Sequence, residues 1–235
     1  MATTAPQLGR LLPRGAPVDA RLSDAALAEL VRRGDPSAFD VLYRRHGEAL
    51  RRYAVAMLRR PDDAEEALQE AMLKAYRALA AGGAAATPRA WLFGIVRNAC
   101  LDAMRASRDW AALSGDEEER GPGVHDRAEL RDDLARLAGD LAALPPQLRS
   151  ALLLRELCGL SHAEIGTALG AATADAKQLV YEARKRLHAF DDARRAPCAE
   201  IRRRLSDGDG RVVGSIRITA HMRCCRGCRD FQLSI

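Results

Sequence analysis

His221, Cys225 and Cys228 stand in an H-x3-C-x2-C array near the end of a 235-residue chain, and Cys198 stands upstream of them. One imidazole nitrogen and three thiolates at such spacings let a helix and the turn after it close a tetrahedral site, and four such ligands fit zinc. Cys224 is a fifth candidate beside Cys225, and helical phase does not choose between them, because the helix can end at that point. A tail this short cannot bury a core of its own, so a metal that folds it is the plainer reading. The sharper reading is a redox or metal sensor, since zinc thiolates are oxidisable and loss of the ion would release the tail. The remaining two cysteines, Cys100 and Cys158, lie inside apolar helical patterns and read as packing residues.

The cluster sits in the most basic part of the chain. Residues 194–235 hold ten Arg against Glu200, Asp207, Asp209 and Asp230, a net of +6; with +5 overall, the first 193 residues carry 27 basic and 28 acidic groups, a net of −1. The body is therefore no general binder of nucleic acid, and any contact with it must come from local, salt-sensitive patches. His46, His125, His162 and His188 are scattered without a nucleophile or a glycine-rich phosphate loop, which argues against an enzyme and against a small-molecule substrate. No apolar run approaches the roughly 18 residues of a membrane helix, and MATTAPQLGRLLPRGAP has no apolar signal block, so a cytoplasmic protein without a membrane partner is expected.

The elements that must position these residues are helical throughout: apolar spacing follows the helix period and no segment alternates like a strand, which makes the chain all-α. Its length suits two compact domains with attachments. Residues 1–22, with Pro6, Pro13 and Pro17 and no periodicity, are expected to be disordered. The first domain, 23–108, opens with Ser23 as an N-cap and a helix that stops at Gly34. Asp35-Pro36 starts a second helix with Phe39, Leu42 and Tyr43 inward, and Leu50 to Leu58 forms a third run. A long helix from Asp62 to Leu79 buries Ala64, Leu68, Met72, Ala75 and Leu79, and Thr87-Pro88 begins another after the Gly82-Gly83 break. Residues 109–126, rich in Gly, Pro and acids, read as a linker. A second domain, 127–190, begins with a helix that turns Leu134, Leu137, Leu141 and Leu144 inward, and a C-terminal Cys/His extension occupies 191–235.

Within the second domain, GLSHAEIGTALGAATADAKQLVYEARKRL has the grammar of a helix-turn-helix. Ser161 and Glu164 form a capping box, Gly170 makes the turn, and Thr173 caps a second helix. An ordinary helical hairpin can carry the same pattern.

Three stretches, in order, resemble bacterial sigma factors of the sigma-70 family. The run Asp63-Ala64-Glu65-Glu66-Ala67-Leu68-Gln69-Glu70 through Tyr76 is similar to the region 2 DAED signature. Trp91 to Asn98 (WLFGIVRN) resembles the later WL..IARN segment, and Leu144-Pro145 to Leu187 resembles region 4. The layout over residues 20–190, with a short linker between regions 2 and 4, is similar to the extracytoplasmic-function (ECF) group. The resemblance implies a subunit that binds core RNA polymerase and directs promoter recognition, melting and initiation. A helix-turn-helix regulator acting on operator DNA alone is the alternative.

For docking on polymerase the resemblance implies Asp63, Glu66, Gln69, Glu70 and Lys74. A solvated acidic face explains some of these too, because carboxylates suit the first turn of a helix; Gln69 is not explained that way. For promoter DNA it implies Arg89, Phe93, Arg97, Asn98, Arg105 and Arg108, since strand opening needs a pocket for an unstacked base and cations along the strand. Trp91 reads as a core residue. In region 4 the second helix would read the upstream element through Thr173, Lys177, Gln178 and Tyr181, with Asp175 on the same face and Arg184, Lys185 and Arg186 near the backbone. Ala176-Lys177-Gln178-Leu179 departs from the family's V-K-S-R run, which removes a donor at Leu179. The acidic linker Asp116–Glu119 serves equally as a tether or as a mimic of nucleic-acid charge.

The tail resembles the zinc-binding anti-sigma domain, in which a Cys or His on one helix joins HxxxCxxC on the next, and that spacing favours Cys225 over Cys224. In that family the domain is a separate protein; here it would be fused to its target, where it would obstruct polymerase or, through its arginines, help to hold DNA. A separate anti-sigma factor is a further partner that the family admits.

Overall fold

The computed structural model describes residues 18–83, 86–114, 128–208 and 214–234, with the side chains of 108–114 and 128–133 outside the description. Among the described residues every regular element is a helix: α1 (Asp24–Arg32), α2 (Ser37–Leu58), α3 (Pro61–Ala80), α4 (Pro88–Ser114), α5 (Ala128–Ala143), α6 (Pro146–Glu156), α7 (His162–Leu169), α8 (Thr173–Arg195), α9 (Cys198–Ser206), α10 (Ile216–Cys224) and α11 (Arg226–Leu233). None is long and apolar enough to cross a membrane.

Packing divides the chain into two compact units: one comprises residues up to Gly123 together with Leu153–Lys177, the other Val124–Leu152 and Gln178–Ile235. The division cuts across the segment 127–190, because α7 packs with the N-terminal helices.

In the first unit Ser23 caps α1 through its hydroxyl, which accepts from Ala26 N–H at 3.2 Å. The end of the segment expected to be disordered is pinned to α2: Arg45 donates to the carbonyls of Ala20 and Leu22 at 2.7 and 2.8 Å and also pairs with Asp24. His46 Nε2 lies 2.7 Å from the second Asp24 oxygen. The two runs read as separate helices around Phe39 and Leu50 are one helix, α2, which continues through the buried Gly47. Two aromatic pairs lock the core edge to face, Phe39 with Tyr76 at 5.5 Å and Tyr53 with Phe93 at 5.9 Å between centroids. Helix α4 runs on to Ser114, into the stretch read as linker, whereas Asp116–Glu119 lie outside the described residues. Cys100 and Cys158 are buried, and burial pushes their thiols up to about 12 and about 11, as packing residues require.

The second unit is built on Leu144, Leu148, Leu152, Ala183, Phe190 and Ala193, and Ala220 of α10 joins this core. Arg149, buried beneath the end of α5, donates to the Ala142 carbonyl at 2.5 Å and so caps carbonyls that the helix cannot satisfy itself. Leu134 and Leu137 are exposed at 57% and 48% rather than inward; the buried stripe of α5 starts only at Leu141 and Leu144. The tail has a small core of its own, Ala196, Ile201, Leu205, Ile218, Met222 and Cys228, with Phe231 against it. That corrects the expectation of a tail without one.

Candidate functional site

Helix α3 presents a clean division. Ala64, Ala67, Leu68, Ala71, Met72 and Ala75 are buried, while Glu66, Gln69, Glu70 and Lys74 are exposed together on the outward face. Asp63, at the edge of that face, pairs with Arg60 at 3.7 Å. Leu73 is exposed among them, an apolar residue on a polar face that no sequence motif marks.

Helix α4 disposes of its candidates differently. Phe93 is fully buried against Tyr53 and offers no surface to a base, whereas Trp91, read as the core residue, is only half-buried. Arg89 donates to Glu164 at 3.2 Å and to the Cys158 carbonyl at 2.7 Å, so its guanidinium is held by α7 and the turn before it. Burial raises the Glu164 carboxyl, but the backbone N–H and hydroxyl of Ser161 and the Arg89 charge outweigh it and hold the group below its ordinary value. Gly94 makes the neighbouring contact close: a Cβ there would sit 3.0 Å from the Ala168 carbonyl oxygen. Further along, Arg97 donates to Asn98 Oδ1 at 3.1 Å, and Asn98 is exposed. Arg105, exposed, pairs with Asp102 at 2.6 Å. Arg108 lies in α4 with its side chain outside the description.

The helix-turn-helix grammar is realised except at Thr173, which is the first residue of α8 and not its cap: the Ala172 carbonyl accepts the first helical bond, from Ala176 N–H at 3.0 Å. Ser161 and Glu164 make both bonds of the capping box, and Gly170 closes α7 at φ +64°. Along α8, Thr173, Asp175, Lys177, Gln178, Tyr181, Arg184 and Lys185 are exposed, Tyr181 by 59%. Arg186 is only half-exposed. Leu179 packs on the core of Leu144, Ala183 and Phe190, so the residue standing where the family carries a donor is turned inward.

The four candidate ligands of the tail converge. Cys198 Sγ lies 3.7 Å from both His221 Nε2 and Cys225 Sγ, and the ligand atoms of Cys198, His221, Cys225 and Cys228 all lie within 4.8 Å of one another. Sulfurs about 2.3 Å from a tetrahedral zinc are about 3.8 Å apart, so the group has room for one such ion. Helix α10 ends at Cys224, and Cys225 pivots in extended geometry (φ −115°, ψ 103°) before α11. That break brings Cys225 and Cys228 to one point and leaves Cys224 outside, its thiol donating to the His221 carbonyl at 3.2 Å. The backbone N–H and thiol of Cys228 and the thiol of Cys198 support a Cys225 thiolate and draw its pKa down to about 7; burial and that neighbouring thiolate push Cys228 the other way. His221 is buried, and its Nδ1 lies 2.8 Å from the Ala193 carbonyl oxygen. A carbonyl can only accept, so Nδ1 carries the proton and Nε2 keeps its lone pair toward the thiols. Neither Glu164 as the partner of Arg89 nor Ala193 as the partner of His221 has a sequence signal: the first is 75 positions away and the second acts through its backbone.

Among the described residues the fold is all-helical with a helix-turn-helix and an outward polar helix face, an arrangement common in DNA-binding proteins, and the comparisons with known proteins identify the family. Residues 42–110 match the Sigma-70 region 2 family and residues 141–187 match Sigma-70, region 4. The chain is 36% identical over 165 residues to the ECF RNA polymerase sigma factor SigM of Mycobacterium tuberculosis, covering 70% of this chain and 83% of that one. It is 30% identical over 174 residues to the RNA polymerase sigma-H factor of Pseudomonas aeruginosa, covering 69% and 90%. Among solved structures it is similar to the sigma factor RpoE in complex with the anti-sigma factor NepR from Bartonella quintana, at TM-score 0.54 and 27% identity over 63% of this chain and 93% of that one. CnrH in complex with the cytosolic domain of CnrY matches at TM-score 0.55 and 28% identity, over 74% and 99%. The chain belongs to the ECF group of sigma-70 RNA polymerase sigma factors.

Proposed function

We propose that this protein is a promoter-specificity subunit of bacterial RNA polymerase that acts in the cytoplasm and carries one zinc ion in its tail. Core polymerase docks on the outward face of α3 through Asp63, Glu66, Gln69, Glu70 and Lys74. The opened strand is held along α4 by Arg97, Asn98 and Arg105, and upstream duplex is read by α8 through Thr173, Lys177, Gln178 and Tyr181 with Arg184 and Lys185 on phosphates. The observation that carries the reading is the ordered pair of region 2 and region 4 matches. The exposed face of α3 over its row of buried alanines supports the docking assignment. Three cysteines and a histidine at tetrahedral spacing, with the histidine oriented from behind, support zinc. A separate anti-sigma factor is a fitting partner, given the complex of the similar RpoE.

Transcription from a promoter library by core polymerase, with and without this protein, tests the main reading: specific initiation is expected only with it. Tight operator binding by the protein alone, with no initiation, overturns it. Alanine at Gln69 and Glu70 together is expected to weaken association with core while moving stability by no more than about 0.5 kcal/mol.

A further inference from the structure

We infer that metal ligation in the tail is coupled to the C-terminal half of α8, so that the bound ion buttresses the promoter-reading helix instead of obstructing it. The inference rests on the zinc site and the region 4 assignment above, and it adds a direction of regulation to them.

Three contacts within one turn of α10 carry the coupling. His221, a ligand, gives its other ring nitrogen to the Ala193 carbonyl at 2.8 Å. That carbonyl is in the last turn of α8, where no residue four positions on continues the helix; it accepts the Ala196 N–H at 3.2 Å and has a second lone pair to offer. The imidazole thus caps the helix end, a place where histidine is favourable. Ala220, one residue earlier, is buried with Phe190 and Ala193. Arg223, two residues later, stacks its guanidinium 5.0 Å over the Phe190 ring and reaches the Gly139 carbonyl of α5 at 3.5 Å. The same turn that supplies a metal ligand therefore completes the core behind α8.

The side of α8 that the tail touches decides the sign. Phe190 and Ala193 lie on the buried face with Val180 and Ala183, while Gln178, Tyr181, Arg184, Lys185 and His188 are exposed on the other. The tail supports the helix from behind and leaves the reading face open. An ion on Nε2 keeps the proton on Nδ1, which holds the bond to Ala193; without it the ring can take the other tautomer and the cap is lost. Coupling of this kind is reciprocal, so weakening the α8 contact must weaken the metal.

Hydrogen exchange on the full chain tests this. With Zn2+ bound, peptides spanning 187–195 should exchange slowly; chelation, and separately Cys228→Ser, should speed them by about tenfold or more while α3 peptides stay unchanged. Holoenzyme affinity for a promoter with its upstream element should fall with the same treatments. Arg223→Ala, which touches no ligand, should still bind one Zn2+ but about tenfold more weakly, and this variant keeps the test valid if Cys228→Ser does not fold. A protein that binds no Zn2+ overturns the site and the inference together. Bound Zn2+ with indifferent exchange at 187–195, or higher transcription on metal loss, overturns the inference and leaves the site standing.

Discussion

Helix α4 commits its first cation, Arg89, to the protein, whereas α8 presents Lys177, Arg184 and Lys185 on an exposed face and pairs Arg194 and Arg195 of its last turn with Asp140 and Asp191. Arg89 at the start of α4 is bonded to Glu164 and to the Cys158 carbonyl, and Phe93 is closed in by Tyr53. On α8, Lys177, Arg184 and Lys185 all stand exposed. The cause lies in how many faces of each helix are packed. Helix α4 contacts α1, α2, α3 and α7, so few of its positions escape a neighbour. Helix α8 buries the line of Ala176, Val180, Ala183, Phe190 and Ala193, with Leu179 and Leu187 packed beside it, which leaves the opposite face for a ligand outside the chain. The contrast teaches that an arginine-rich helix is not by itself a nucleic-acid surface: each guanidinium has to be followed to its partner.

The largest effect that could break this comparison is at Phe93. Deleting a fully buried ring leaves a cavity, so Phe93→Ala should cost about 3–5 kcal/mol in denaturant unfolding. A near-normal midpoint with impaired promoter melting would return Phe93 to the DNA-contacting set. Next is the tail, where Cys228→Ser should strip about one equivalent of zinc in metal analysis, whereas Cys224→Ser should keep it, because the Cys224 thiol faces the His221 carbonyl.

Alanine at both Lys177 and Lys185 should weaken holoenzyme binding to the upstream element and make its salt dependence shallower, by about one in slope for each phosphate left without its cation, with melting unchanged. A loss of stability instead would place these residues among the packed ones, as on α4. The smallest effect belongs to Arg89. Its pair with Glu164 is about one-third exposed, so Arg89→Ala should cost only about 1 kcal/mol or less. Because the folded Glu164 pKa is depressed, the stability it contributes is fully present above its ordinary value of 4.5 and is lost as pH falls through the lower folded value. The wild type should therefore lose its advantage over Arg89→Ala in acid unfolding; an advantage that persists after Glu164 is protonated would point to the Cys158 carbonyl bond instead.

Local rules settled much of this protein in advance. The helix period, the caps at Ser23 and Ser161, the turn at Gly170 and the run Asp63–Tyr76 all act over a few residues, so helices, their ends and the family were legible in the chain. The outward face of α3 was legible for the same reason, since a helix buried on one side fixes what lies on the other. That His221 and Cys228 lie near one another was legible too, because short spacings within one helix and its following turn are themselves geometry; Cys198, on another helix 23 positions before His221, joins them through the fold.

What only the tertiary structure decided are the long-range choices. Periodicity marked both Trp91 and Phe93 as apolar positions of α4, but which one is enclosed depends on Tyr53, 40 positions from Phe93 in sequence. Leu134 and Leu137 have the spacing of buried residues and are exposed, because a pattern states which side is apolar without guaranteeing a neighbour to cover it. Cys225 was separated from Cys224 by a break in α10 at a single pair of dihedrals. The bond from His221 to Ala193 had no sequence trace, because its acceptor is a backbone carbonyl that every residue possesses.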